Sequence, residues 1–273
     1  LVEMGTFLAI LAGTIGGGVL VLSEGGPRWI GLTAVIWAVL GYLASLRVPA
    51  LPPVAPDLRV SLSPFGPTLS ILRITKKTRA VFLSVLGISW FWFFGAAFLT
   101  LLPTYARNTL GAHEHVVTFL LAVFCVGIAL GSLLCEKVSG KNLELGLVPF
   151  GSIGMTVFTL DLFLVGAPAV RPELPLALGA FLESPHALRI SFDLFAIALF
   201  GGFYTVPLYT LIQQRAEPSE RSRVVAGNNI LNALFMVVAS GMLSWLFGMH
   251  VPVPQIFLVI AALNALVAVY IYS

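Results

Sequence analysis

Charged residues are scarce in this sequence, since Asp, Glu, Lys and Arg make up only 10% of its 273 residues. A typical soluble domain carries about 25% charged residues, so this chain has too little polar surface for a water-soluble globule. Cysteine is scarce too: Cys125 and Cys135 lie ten residues apart in one apolar segment, which supports neither a disulfide framework nor a zinc site. The basic residues are scattered over loops without a basic and aromatic surface pattern, which argues against a nucleic-acid-binding protein.

Apolar residues dominate what is present: hydrophobic types account for 58% of the chain, and its mean hydropathy is +0.99. They fall in blocks of about 20 residues, the length that a helix needs to cross a hydrocarbon core about 30 Å thick. The alternation typical of a membrane β-barrel is missing from these blocks. The sequence therefore predicts an all-α membrane protein with eight spans, at Met4–Leu22, Trp29–Leu46, Ala80–Leu102, Val116–Leu134, Leu143–Val165, Ile190–Ile212, Val225–Phe247 and Pro254–Tyr272.

A long polar stretch, residues 48–79, separates the first two spans from the last six. It contains six prolines from Pro49 to Pro67, and proline cannot continue a helix because it lacks the backbone donor. If this stretch is cytoplasmic, the loops on its side of the membrane carry eleven Lys and Arg against four on the other side. Lys and Arg are retained on the cytoplasmic side, so we expect the linker and the C-terminus to be cytoplasmic.

This two-plus-six pattern is similar to that of the major facilitator superfamily, whose members have two six-helix halves around a central substrate path. The resemblance implies a partial bundle, helices 5–12 of 12, and a chain that is a fragment lacking the first four helices. Residues 1–47 would be the last two helices of the N-terminal half, residues 48–79 the cytoplasmic linker, and residues 80–273 the C-terminal half.

Two acidic residues lie within or at the edge of the spans. Carboxylates are costly in hydrocarbon and usually face a partner or a watery cavity. Asp193 follows Arg189 by four residues, which predicts an ion pair within one helix. Asp161 has no charged residue within a turn, and it either contacts a substrate headgroup in a cavity or reaches the membrane interface.

The sixth span has Gly201, Gly202 and Pro207 near its middle. Proline removes a helix hydrogen bond and glycine lowers the cost of bending, so these residues predict either a hinge beside a pathway or a static kink. Polar atoms follow toward the end of the span that we expect to be cytoplasmic, and the candidates for substrate contact among them are Tyr204, Tyr209 and Gln213.

Three asparagines, Asn228, Asn229 and Asn232, enter the seventh span. Asn228 and Asn232 are four residues apart and share one helix face, while Asn229 lies about 100° round the helix. Amides are poorly satisfied in lipid, so they either form interhelical hydrogen bonds or line a translocation path and bind polar substrate groups. The aromatic run 90–94 in the third span either lines a cavity for acyl chains or faces lipid.

Two runs, Gly201–Gln213 and Arg221–Val237, resemble the bacterial lysophospholipid transporters of the major facilitator superfamily. The likeness is to the multidomain forms fused to a glycerolipid acyltransferase and an acyl-carrier-protein synthetase. It implies that lysophospholipid, notably lysophosphatidylethanolamine, moves from the outer to the inner leaflet of the bacterial inner membrane by alternating access. The acyltransferase and synthetase, fused or associated, would then restore the missing acyl chain. The resemblance implies no cofactor.

Three other functions have recognisable sequence features. An acyltransferase needs H-x-x-x-x-D, in which the histidine acts as a base, and none of the four histidines has Asp five residues later; we therefore expect no enzyme in this chain. A facilitator that exports drugs or small solutes has the same architecture. A membrane anchor that has lost its pathway would not keep amides and a bent helix. The loop residues His113, Glu114 and His115 are either a weak metal site or a solvated loop.

Overall fold

The protein is represented by a computed structural model that describes residues 2–21, 23–49, 73, 75–140, 142–166 and 175–272. Within these residues, helices occupy all eight predicted span positions, and a further short helix lies between two of them. The helices are α1 (Val2–Val21), α2 (Gly26–Ser45), α3 (Arg79–Thr104), α4 (Glu114–Val138), α5 (Leu147–Val165), α6 (Leu178–Leu182), α7 (Ala187–Arg215), α8 (Arg221–Gly248) and α9 (Val253–Tyr272). Most of the predicted linker lies outside the described residues, so the division into two halves stays a prediction.

Seven of these helices, α2 to α5 and α7 to α9, are long and apolar enough to cross a membrane. The described part of the chain has no β-strand, only an isolated bridge between Ala112 and Leu176. The prediction of an all-helical membrane protein is confirmed, and the arrangement is consistent with a bundle like those of major facilitators.

Proline positions explain two local features of the helices. Pro27 stands in the first turn of α2, where a backbone N–H has no helix partner to lose. Pro103 lies inside α3 and lacks the donor for the regular ladder. The chain continues directly into a π-helical turn, Tyr105–Thr109, the irregular geometry expected where the ladder of hydrogen bonds is interrupted.

Helix α7 lies at the centre of the bundle and packs against α3, α4 and α5. Glycines allow α4 and α5 to approach α7 very closely. A Cβ on Gly131 of α4 would lie 2.1 Å from the carbonyl oxygen of Leu199, and one on Gly151 of α5 would lie 2.5 Å from the amide nitrogen of Tyr204. Backbone thus meets backbone on both sides of α7, as small residues permit in membrane helices.

The remaining helices pack around this group. Helix α8 packs mainly on α3, α9 packs on α5, and α1 packs on α4 and α2. In the α1–α4 contact, a Cβ on Gly18 would meet the side chain of Thr118 at 2.5 Å.

Aromatic side chains fill the core between α3, α4 and α9. Phe98 stacks on Phe94, Phe124 and Phe257, with ring centroids 4.7, 5.7 and 5.5 Å away. In the run 90–94, four of the five side chains are buried and Trp92 is half-buried. The prediction that this run faces lipid is therefore wrong: its rings pack against neighbouring helices, because α3 contacts α8 on one side and α7 on another.

Candidate substrate site

The asparagines of α8 face inward, toward α3. The side chains of Asn228 and Asn232 are buried, with exposed fractions of 2% and 7%, whereas Asn229 is exposed. The spacing of four residues accounts for the shared face. The shared face points toward α3 because α3 is the only helix with which α8 makes an extensive contact among the described residues.

Hydrogen bonds join these amides to two side chains of α3. In the orientation of the Asn232 amide that satisfies its partners, its nitrogen donates to the Ser89 hydroxyl and to the backbone carbonyl of Asn228, each at 3.0 Å. Its oxygen accepts from the Trp92 indole nitrogen at 3.2 Å and from the Asn228 side-chain nitrogen at 3.0 Å. The interpretation that these amides form interhelical hydrogen bonds is confirmed, and contact with substrate stays a prediction.

A third helix joins this site through Tyr209 of α7. The Trp92 indole nitrogen donates to the Tyr209 hydroxyl at 3.1 Å. The same N–H is therefore within hydrogen-bonding distance of Tyr209 on α7 and of Asn232 on α8. The oxygen of the buried Asn228 side chain has no hydrogen-bond partner among the described residues. We call Ser89, Trp92, Tyr209, Asn228 and Asn232 the amide cluster. The amide cluster offers an unused acceptor, the Asn228 side-chain oxygen, and a donor, the Trp92 indole N–H, that can change partner.

Two other predicted contact residues lie elsewhere. The side chain of Gln213 is exposed near the end of α7. Tyr204 is buried, and its backbone is the surface on which Gly151 of α5 packs. Because a helix turns about 100° per residue, Tyr204 and Tyr209 point in directions roughly 140° apart. The structure therefore brings Tyr209 to the amide cluster, whereas Tyr204 is buried with its backbone against α5.

The predicted hinge residues lie at close helix contacts. A Cβ on Gly202 would meet the backbone of Gly131 and Ser132 at 2.5 Å, and one on Gly201 would meet the Phe91 ring at 3.0 Å. Helix α7 runs without a break through Pro207. These glycines serve close packing in this structure, and their use as a hinge stays a prediction.

The expected ion pair between Arg189 and Asp193 is wrong. The guanidinium of Arg189 instead holds Asp161 of α5, with Nε donating to Oδ2 at 2.9 Å and Nη2 donating to Oδ1. A bidentate guanidinium pair has the best geometry that a carboxylate can find, and the antiparallel neighbour α5 presents Asp161 to it. Asp161, which has no charged residue within a turn of its own helix, thus finds its partner on α7. Asp193 is 1% exposed beside it.

A second buried polar group, on α9, was missed by reasoning from the sequence. Asn264 is fully buried; its oxygen accepts from the Trp90 indole nitrogen at 2.7 Å. Its side-chain nitrogen donates to the backbone carbonyl of Ser152 at 3.0 Å and to the Thr156 hydroxyl at 2.9 Å. A lone amide in the last apolar span was the available signal. These hydrogen bonds tie α9 to α3 and α5, and they leave little capacity for a ligand.

His113, Glu114 and His115 lie at the start of α4, where His113 is the cap and Glu114 is the first helical residue. Glu114 pairs with Arg107 at 3.2 Å, and the rings of His113 and His115 stack with centroids 5.0 Å apart. Across the described ranges, no three His, Cys, Asp or Glu side chains converge in a way that would hold a metal ion. The structure therefore places Glu114 and His115 in the first turn of α4 rather than in a loop.

Comparison with known proteins identifies similar chains. Curated proteins named lysophospholipid transporter LplT align at 28% identity over 260 residues in Klebsiella pneumoniae, at 28% over 240 residues in an Enterobacter species and at 29% over 241 residues in Citrobacter koseri. These alignments cover 92%, 84% and 84% of this chain, and 59%, 52% and 52% of the three relatives. The chain thus spans a little over half the length of the curated relatives it matches. The predicted resemblance to lysophospholipid transporters is confirmed, whereas the fusion to other domains and the missing first four helices stay predictions.

No protein-family model matches the chain, and no solved structure matches it.

Proposed function

We propose that this protein transports lysophospholipid across a bacterial membrane. The observation that carries the proposal is the similarity, over 92% of the chain, to curated proteins named lysophospholipid transporter. Seven helices long and apolar enough to cross a bilayer supply the architecture that such transport needs. We further propose that movement runs from the outer to the inner leaflet of the inner membrane by alternating access, with the C-terminus on the cytoplasmic side.

The amide cluster supports a place for the polar headgroup. A lysophospholipid has a charged headgroup and one acyl chain, so a carrier must offer hydrogen bonds to the first and apolar surface to the second. Asn228 and Asn232 supply buried amides, Tyr209 supplies a hydroxyl, and the exposed Asn229 directly follows Asn228. We assign headgroup contact to these four residues, and to Tyr204, Gln213 and Asp161 as further candidates along the path. Gly201, Gly202 and Pro207 are the proposed hinge.

The product of this transport would need a second acyl chain. Because the chain has no H-x-x-x-x-D motif, that reaction falls to partners. We propose a glycerolipid acyltransferase and an acyl-carrier-protein synthetase, either fused to the transporter or associated with it. Membrane lipids and the lysophospholipid itself are the other partners.

A carrier for drugs or small solutes is the second candidate, because helical architecture is common to both. It would use the same buried amides for a different ligand. A competition measurement separates the two: excess unlabelled lysophospholipid suppresses uptake of a labelled lysophospholipid if the site is lipid-specific, and a panel of amphiphilic drugs leaves that uptake unchanged.

The site assignment is tested with Asn232→Leu in the full-length protein. This change removes an amide that we assign to the charged headgroup, and a hydrogen bond to a charged group is worth about 1.5–3 kcal/mol, so we expect uptake to fall by about tenfold or more. The matched control is Asn108→Leu, which makes the same replacement at an exposed position in the π-helical turn. Uptake is measured at equal amounts of protein in the membrane. If Asn232→Leu transports normally, the amide cluster is not the site.

A further inference from the structure

Asp193 is a buried carboxyl whose second oxygen is unused. It lies in the second turn of α7, 1% exposed, and Oδ2 has no hydrogen-bond partner among the described residues. Arg189 lies one helical turn before Asp193 on the same face of α7, and its guanidinium holds the Asp161 carboxyl of α5, which therefore lies close to Asp193. Two acids therefore meet at the end of the bundle where α5 finishes and α7 begins, and only one of them holds the nearby guanidinium.

The charges around this pair do not balance if both acids are ionised. Both guanidinium hydrogen bonds of Arg189 go to Asp161. The hydroxyl of Tyr105, in the π-helical turn, donates to the backbone carbonyl of Gly166 at 3.1 Å rather than to Asp193. On α4, the acid at this end of the bundle is Glu114, which pairs with Arg107 at 3.2 Å.

A second ionised carboxylate would thus be buried without a counter-charge. Removing an unpaired charge from water is strongly unfavourable, and a group in that position is stabilised in its neutral form. A protonated carboxyl also gains an O–H donor. Asp161 has oxygen lone pairs to accept it in addition to the two guanidinium bonds, because an ionised carboxylate accepts about four.

We propose that Asp193 and Asp161 form a proton-binding site, in which Asp193 holds an exchangeable proton and donates it in a hydrogen bond to Asp161. Binding takes one proton from water and changes the charge of the group formed by Asp161, Asp193 and Arg189 from minus one to zero. The partly exposed side chains of Asp161 and Arg189, 32% and 50% exposed, give water access to the buried acid.

Loss of the proton would place a net negative charge between α5 and α7 and weaken their contact at this end. In the proposed transport cycle, this end faces the outer leaflet, so the bound proton keeps the outer ends of α5 and α7 together. This consequence rests on the proposed lysophospholipid transport, whereas the proton site itself does not.

The proton is detected by infrared difference spectroscopy of the purified full-length protein in lipid, between neutral and alkaline pH. We expect a carbonyl band of a protonated carboxylic acid at neutral pH, with a shift in heavy water. Asp193→Asn removes the band. Asp161→Asn removes it too, because the guanidinium is then free to pair with an ionised Asp193. Glu136→Gln, at an exposed acid near the end of α4, leaves the band in place.

A band that survives Asp193→Asn overturns the proposal, and a band that survives Asp161→Asn overturns the sharing of the proton between the two acids. Lysophospholipid uptake supplies a second readout. We expect uptake by the unaltered protein to change as the outer pH rises and uptake by Asp193→Asn to stay constant over the same range. If neither protein takes up lysophospholipid while the infrared band behaves as described, the transport proposal fails and the proton site stands.

Discussion

Adding one methyl group at Gly131 tests the close contact between α4 and α7. The Cβ of Gly131→Ala would lie 2.1 Å from the carbonyl oxygen of Leu199 and 2.8 Å from its Cα. All the nearest atoms belong to the backbone of α7, so rotation of a side chain cannot relieve the overlap. The separation would have to grow from 2.1 Å to about 3.4 Å, the start of ordinary contact, and the two helices would have to move apart.

The cost of that movement can be estimated. Overpacking in a well-packed core costs about 1–3 kcal/mol, and a contact that only the backbone can relieve belongs at the upper end of this range. Replacing glycine by alanine within a helix returns up to about 1 kcal/mol. We therefore expect a net loss of about 2 kcal/mol in the free energy of unfolding.

The assay is denaturation of the purified protein in mixed micelles with increasing SDS, followed by loss of helical circular dichroism. Gly241→Ala on α8 is the matched control, because a Cβ there meets no described atom within 4 Å. The control should keep its stability or gain a little, since only the helix propensity changes. Equal stability of both variants would refute the backbone contact between α4 and α7.

Two further predictions concern hydrogen bonds. Asn264→Leu leaves Trp90 and other buried groups without partners, so we expect a loss of about 2–3 kcal/mol in the same SDS assay, against almost none for the exposed Asn229→Leu. Lys77 before α3 donates to Glu220 at the start of α8; this half-exposed pair stabilises by about 1 kcal/mol at most. We expect Lys77→Glu to reduce uptake. The double variant with Lys77→Glu and Glu220→Lys exchanges the two charges and should restore uptake. If the double variant transports no better than the single one, the ion pair has no role in transport.

The sequence allowed the helices to be located because the lipid core imposes a length on them. Runs of about 20 apolar residues gave all eight positions, and the errors lie at helix ends. Helix α7 begins at Ala187 and continues to Arg215, beyond the predicted Ile190–Ile212 on both sides. The residues that extend the helix at its two ends are partly polar. Hydropathy therefore does not assign them to the apolar span, although their backbone is helical.

Side-chain partners were harder to predict because they depend on the register between helices. Arg189 was expected to pair with Asp193 four residues along its own helix, but the contact of Gly151 with α7 sets a register that brings Asp161 to the guanidinium. For the asparagines of α8, periodicity predicted that Asn228 and Asn232 would share a face. It could not predict Ser89 and Trp92 on α3 as their partners.

Lysophospholipid transport, the central claim, is tested most directly by leaflet-resolved uptake in vesicles that contain the full-length protein. A headgroup-labelled lysophosphatidylethanolamine is added to the outer leaflet, and its passage is followed by protection from a membrane-impermeant quencher. The account predicts protection at a rate well above that of protein-free vesicles, suppressed by excess unlabelled lysophospholipid. A rate equal to that of protein-free vesicles, with correctly folded protein present, would contradict it.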